Sequence, residues 1–440
     1  MNADSAGVNT TLSGTDSIRF PVPQQAPTDR ASRERFQSAH WDLDVGVTFL
    51  NHGSYGAVPR EVLEAQTRLR KRMERESVRF YKVDLERLMD GVRASLGRFA
   101  GCEADGIAPV PNATMGIATV LTNTAFEPGD EVLVTDHEYM SGINELQRFA
   151  ARTGLRVVQA RVPFPVRSAS EVAEAVVAAA TARTRLAIVS HITSASALIF
   201  PATEITRRLR ERGIDVLVDG AHAPGQIDLN IEAMKPTYYV GSLHKWVSAP
   251  KGTAFLYVEK ERRAGFRPLC LSSRAHRLRP ERALFLRDFD YHGTLDYSGF
   301  LVVPEAIEYL SRLLPGGWPA LMKRNHDLVV RGRAIVCEAL GCAPAAPEEM
   351  LGSMATVILP EAPAEMQSRT TLYDDPLQDA LVERHGVVAP VWRLLATNQR
   401  VLRLSAQAYN TLDQYTLLGE ALATELRREG SLGSGVRMAG

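Results

Sequence analysis

Between residues 107 and 258 the chain alternates short β-rich runs with stretches of helical periodicity, and no other feature restricts its fold as strongly. Candidate strands lie at 131–134, 156–158, 186–189, 216–218, 238–240 and 254–258. Helical patterns at 141–152, 171–182 and 203–212 separate most of them. Strand, helix, strand repetition predicts a mainly parallel sheet with helices on both faces, an α/β architecture. Ligands in such sheets bind outside the carboxyl ends of the strands, so the residues just after each strand are where chemistry is sought.

The flanks read differently. Residues 1–35 are polar, Pro-containing and aperiodic, which predicts a flexible N-terminal arm. Over 61–75 the apolar positions Val62, Leu63, Ala65, Leu69 and Met73 recur at helical spacing, and 85–99 forms a second amphipathic helix. From 301 onward longer helices (301–314, 321–340, 412–429) mix with strands near 354–359 and 401–404. The expected organisation is an N-terminal segment with a large domain over 36–300, then a smaller C-terminal α/β domain over 301–430. The two join near Pro315-Gly316-Gly317, and a flexible tail follows at 431–440.

Lys plus Arg and Asp plus Glu number 51 each, so no global field favours nucleic acid or an anionic membrane; a small-molecule substrate is expected. The most apolar stretch, 172–182, is interrupted by Glu174, short of the ~18 residues a membrane span needs. The start, Met1-Asn2-Ala3-Asp4, lacks a basic and apolar signal, so the expected location is the cytoplasm. Cys102, Cys270, Cys337 and Cys342 form no CxxC pair, and neither a metal site nor a disulfide framework is expected.

Four segments carry chemistry. Val240-Gly241-Ser242-Leu243-His244-Lys245-Trp246 places a lysine just past a strand. Val216-Leu217-Val218-Asp219 ends a strand in a carboxylate, with His222 three residues on. An acid there either caps a turn or holds a proton on a pyridine nitrogen so that the ring withdraws electrons. Pro111-Asn112-Ala113-Thr114 opens a helix whose free N–H groups suit a phosphate, although Asn112 or Thr114 also serves as an ordinary N-cap. Thr135-Asp136-His137-Glu138 puts an imidazole at a strand end, where it can stack on a planar heterocycle.

Together and in this order, these segments resemble the class V aminotransferase-like, fold type I family of pyridoxal-phosphate (PLP) enzymes, in its isopenicillin N epimerase-like and C–S lyase branch. The resemblance spans roughly 45–425. It is carried also by Asn51-His52-Gly53-Ser54-Tyr55-Gly56, Gly293-Thr294-Leu295-Asp296-Tyr297-Ser298 and Leu402-Arg403-Leu404-Ser405. It implies a mainly parallel seven-stranded sheet in the large domain and PLP as cofactor. Lys245 would carry PLP and move the Cα proton, Asp219 would pair with the ring nitrogen, His137 would stack on the ring, and His222 would lie near its phenolic oxygen. Asn112, Ala113, Thr114, Ser242 and His244 would hold the phosphate. Thr294 would reach the phosphate of a second subunit, implying a homodimer with shared active sites. Arg403 would clamp the substrate carboxylate with Asn51 nearby, a bidentate contact that suits a guanidinium. His52 and Tyr55 are further substrate-binding or acid–base candidates.

No cysteine follows Cys342, so the nucleophilic cysteine of related desulfurases, shortly before the arginine, is missing. The resemblance therefore implies an enzyme acting at Cα of a modified amino acid in secondary metabolism, a β-eliminating C–S lyase for a cysteine-type thioether or an epimerase. Transamination and oxidative or decarboxylating deamination are the alternatives within the family. A catalytically silent binding protein is the alternative outside it, and a nicotinamide dehydrogenase lacks its Gly-rich fingerprint. The arginine-rich run 274–287 reads as a solvated mobile loop or as an attractor for an acidic substrate.

Overall fold

The computed structural model describes residues 25–276, 279–395 and 397–432. Its strands in chain order are β1 (Thr48–Phe49), β2 (Ile107–Val110), β3 (Glu131–Thr135), β4 (Arg156–Ala160), β5 (Thr184–Ser190), β6 (Asp215–Asp219), β7 (Tyr238–Ser242), β8 (Ala254–Val258), β9 (Met354–Ile358), β10 (Val387–Val388), β11 (Val391–Arg393) and β12 (Arg400–Ser405).

Seven of these form the main sheet, in the order β2-β8-β7-β6-β5-β3-β4, with β8 antiparallel to both neighbours and the other pairs parallel. The period of two along each strand sorts its side chains into two cores. Ala187, Val189, Val216, Val218 and Tyr239 face one, and Leu186, Ile188, Leu217, Tyr238 and Val240 face the other. Helices cover both faces, which is why the central strands are apolar almost throughout. The edge strand β4 instead exposes Arg156, Val157 and Gln159.

The second unit is a three-stranded antiparallel sheet, β11-β12-β9, backed by the helices Gly317–Leu340 and Leu412–Arg428. The N-terminal segment is tied to this unit. β1 pairs in parallel with β10, Arg33 makes a 3.0 Å ion pair with Asp413, and the Asn410 side chain donates to the Phe49 carbonyl.

Two expectations change. The arm expected over 1–35 lies outside the described residues for 1–24, but Arg30–His40 is a helix. Asp29 and Ser32 close a capping box at its start, and Phe36 and Trp41 are buried, so a polar local sequence is held by its cap and two apolar anchors. The run 274–287, apart from 277 and 278, is no solvated loop. Arg274 and Arg279 reach Glu86 at 3.0 and 2.6 Å, Arg282 reaches Asp90 at 2.9 Å, and both Arg282 and Arg93 bond the fully buried Asp290. Arg274, Arg279 and Arg282 tie this stretch onto the helix Leu85–Ala100, so these three are not free to draw in a substrate.

Candidate active site

The carboxyl ends of β2, β3, β5, β6 and β7 open on one cavity of about 280 Å³. Lys245, on the loop after β7, reaches into it. Its Nζ lies 3.0 Å from Nε2 of His222. The Trp246 indole N–H lies 3.5 Å from Nδ1 of the same imidazole. Burial and the positive Arg403 pull the lysine down to about 7, against the opposing pull of Asp219.

Asp219 ends β6 on the cavity wall, almost fully buried, and accepts the Ala221 N–H at 2.9 Å. Burial raises its pKa, so the site favours a cation or a bound proton beside this carboxyl. Asn112 caps the helix Ala113–Asn123 by accepting the Met115 N–H at 2.9 Å, the ordinary cap role, and it lines the cavity together with Ala113 and Thr114. The first N–H groups of that helix thus border the cavity opposite Ser242 and His244. The helix sits this close because residue 116 is glycine: a Cβ there would come within 2.6 Å of the Val240 side chain.

Arg403 stands in the middle of β12, 1% exposed. Its Nη1 donates to the Ser194 carbonyl at 2.9 Å, and its Nη2 to Asn51 Oδ1 at 3.1 Å and Ser54 Oγ at 3.0 Å. The guanidinium lies 4.7 Å over the Trp392 ring, and its Nε has no hydrogen-bond partner. Ser54 and Ser194, which hold its two terminal nitrogens, line the cavity, so the arginine stands behind this hydroxyl rim.

Five of the expected residues are not on the cavity wall: Asn51 and Arg403 stand behind Ser54, and His137, His52 and Thr294 lie elsewhere. His137 does not line the cavity: it is buried with Nδ1 on Ser196 and Nε2 on the Val162 carbonyl, packed edge-on to Phe164 and tilted to Phe200. The aromatic side chain on the cavity wall at this strand end is Tyr139, two residues on and half exposed. His52 is likewise fully buried away from the cavity, whereas Tyr55 lines its mouth and is 73% exposed. Thr294 is also absent from the cavity wall and bonds the Tyr291 hydroxyl at 3.1 Å. Ser54, Ser190, Ile192 and Ser194, none of them singled out individually from the sequence, also line the cavity. Only Ser54 stood inside a recognisable phrase; the others are small neutral side chains that carry no signal until the strand ends are assembled.

An amine drawn down to about 7, a buried acid and a helix N-terminus around one small cavity, with a buried guanidinium behind its Ser54 and Ser194 wall, fit PLP. The seven-stranded sheet with a smaller C-terminal unit is the fold type I architecture of PLP-dependent enzymes. The chain belongs to the aminotransferase class-V family, whose model matches residues 54–418, and it is a PLP-dependent enzyme of that family. It is 32% identical over 392 residues to isopenicillin N epimerase of Streptomyces clavuligerus, covering 86% of this chain and 95% of that one. It is 30% identical over 414 residues to L-cysteine desulfhydrase of Arabidopsis thaliana, covering 87% and 88%. Among solved structures, the cysteine desulfurase of Thermococcus onnurineus NA1 superposes with a TM-score of 0.72 at 17% identity, over 93% of this chain and all of that one.

Proposed function

We propose that the protein is a C–S lyase that eliminates the β-sulfur substituent of cysteine or of an S-substituted cysteine. The observation that carries this reading is the Lys245 amine and the Asp219 carboxyl on the wall of one cavity that holds no cysteine, with the Arg403 guanidinium bonded behind that wall to Ser54 and Ser194. Arg403, with Asn51 and the Ser54 hydroxyl, takes the substrate carboxylate and fixes the rotation about the Cα bonds. The Lys245 Nζ, which burial and Arg403 draw down to about 7 so that a large share is unprotonated near neutral pH, takes the Cα hydrogen. PLP, held by Lys245, by Asp219 at its ring nitrogen and at its phosphate by Asn112, Ala113, Thr114, Ser242 and His244, supplies the electron sink. The Cβ–S bond then breaks, the sulfur leaves with a proton as a thiol, and water hydrolyses the released aminoacrylate to pyruvate and ammonia. The desulfhydrase relatives support this reading. Tyr139 is the aromatic placed to lie against the ring.

Epimerisation at Cα is the second reading, favoured by the epimerase relatives. It needs a proton returned to the opposite face, and His244, the imidazole besides His222 on the wall, is held neutral at about 4 by burial. We place the reaction in secondary metabolism in the cytoplasm, in a homodimer whose second subunit contributes Thr294. The exposed Tyr55 and Tyr139 at the cavity mouth support such a closure. Incubation should release pyruvate and ammonia in equal amounts with one further product, hydrogen sulfide from L-cysteine and a thiol from S-substituted cysteines. No such release, together with racemisation of a chiral amino acid, removes the lyase reading.

A further inference from the structure

His52 stands where three parts of the molecule meet. It opens the four-residue helix His52–Tyr55, is fully buried, and has both ring nitrogens engaged. Nε2 lies 2.9 Å from the main-chain carbonyl oxygen of Lys245, and Nδ1 lies 2.7 Å from the Tyr409 hydroxyl. A carbonyl oxygen only accepts, so the ring proton is on Nε2 and Nδ1 accepts from Tyr409. The Gln407 amide nitrogen, 3.2 Å from Nε2, packs beside the same edge, and the Trp246 ring lies 5.1 Å away. Burial holds the imidazole down at about 3, so it is neutral and takes no part as an acid near neutral pH.

The same short segment grips the lysine loop from below. Gly56, at φ +70°, is so close that a Cβ would fall 2.2 Å from the His244 carbonyl oxygen and 2.8 Å from that of Lys245. At the other end Asn51 and Ser54 hold Nη2 of Arg403, and the Gly53 N–H donates to Ser405 at 3.3 Å. Six consecutive residues therefore touch the backbone of Lys245 on one side and the guanidinium of Arg403 on the other.

We propose that His52 is a positioning residue: its Nε2–H bond to the Lys245 carbonyl, braced by Tyr409, sets the lysine amine in register with the Arg403 carboxylate clamp. A substrate anchored at Arg403 then presents its Cα hydrogen to the amine. Misplacement of reacting groups by about 1 Å lowers rates by roughly a hundredfold, so the bond acts on turnover and far less on substrate affinity. The inference rests on Lys245 being the lysine that carries PLP.

The test uses PLP-loaded wild type, His52→Leu, His52→Gln and Tyr409→Phe, each first reduced with borohydride and mapped. A label away from Lys245 in the wild type overturns the lysine assignment itself. With Lys245 labelled, His52→Leu is expected to move the pH midpoint of the visible cofactor band by about half a pH unit or more. Its kcat is expected to fall roughly ten- to a hundredfold, with KM within about threefold. His52→Gln keeps an N–H at the Nε2 position and should recover most of both, and Tyr409→Phe should fall between. An unmoved band and kcat in His52→Leu, a change confined to KM, or a His52→Gln no better than His52→Leu overturns the proposal. Should His52→Leu not fold, an unchanged midpoint and kcat in Tyr409→Phe overturns it.

Discussion

Lys245 shows how burial alone prepares a residue for chemistry. Its amine is free in the unfolded chain with an ordinary value of 10.5 and is drawn to about 7 in the fold. Below pH 7 both states hold the proton, so folding without cofactor must bury a cation and the destabilisation is full. Between pH 7 and 10.5 the unfolded state holds more protons, and stability rises with pH; above 10.5 this contribution is gone. Lys245→Met should therefore raise the melting temperature of the cofactor-free protein at pH 6, and the gain should vanish by about pH 10.5. A gain that does not change with pH contradicts this account. For Arg403 the planar fork matters more than the charge. Arg403→Lys keeps the cation but loses two-point contact and the stacking on Trp392, so steady-state kinetics should show KM raised at least about tenfold with a smaller loss of kcat.

At the scale of elements, the helix Ala113–Asn123 serves both stability and binding, and one substitution separates the two. Asn112→Asp retains a good N-cap, so the melting temperature should hardly change, because Asp and Asn cap about equally well. The added negative charge borders the phosphate position, and titration of the cofactor-free protein with PLP should show affinity lower by about tenfold or more. Equal affinity would remove the helix N-terminus from the phosphate site. The stretch around Asp290 tests packing away from the cavity. Asp290→Ala leaves Arg93, 1% exposed, without its main partner, and chemical denaturation should show a loss of about 3 kcal/mol or more. The arginine pattern over 274–287 was visible in the sequence, but its acidic partners Glu86 and Asp90 lie nearly 200 residues away along the chain, so its role was not.

For the whole molecule, the site forms where two units and an N-terminal segment converge: Lys245 and Asp219 come from the main sheet, Arg403 from the three-stranded sheet, and Asn51 and Ser54 from the segment between. The sequence alone determined the strand–helix alternation, the strand-end positions of Asp219 and Lys245 and a helix start near Asn112 and Thr114, because each depends on local periodicity or on neighbours a few residues apart. It also placed His137 at a strand end and led to the expectation that this ring stacks on the cofactor. The tertiary structure decided otherwise, turning His137 into a pocket of Ser196, Phe164 and Phe200 and leaving Tyr139 at the wall. It likewise took His52 out of solvent and set it between Lys245 and Tyr409, contacts that span 193 and 357 residues. Side-chain direction after a strand end, and pairing across such separations, are fixed by packing against distant segments, which local sequence does not encode.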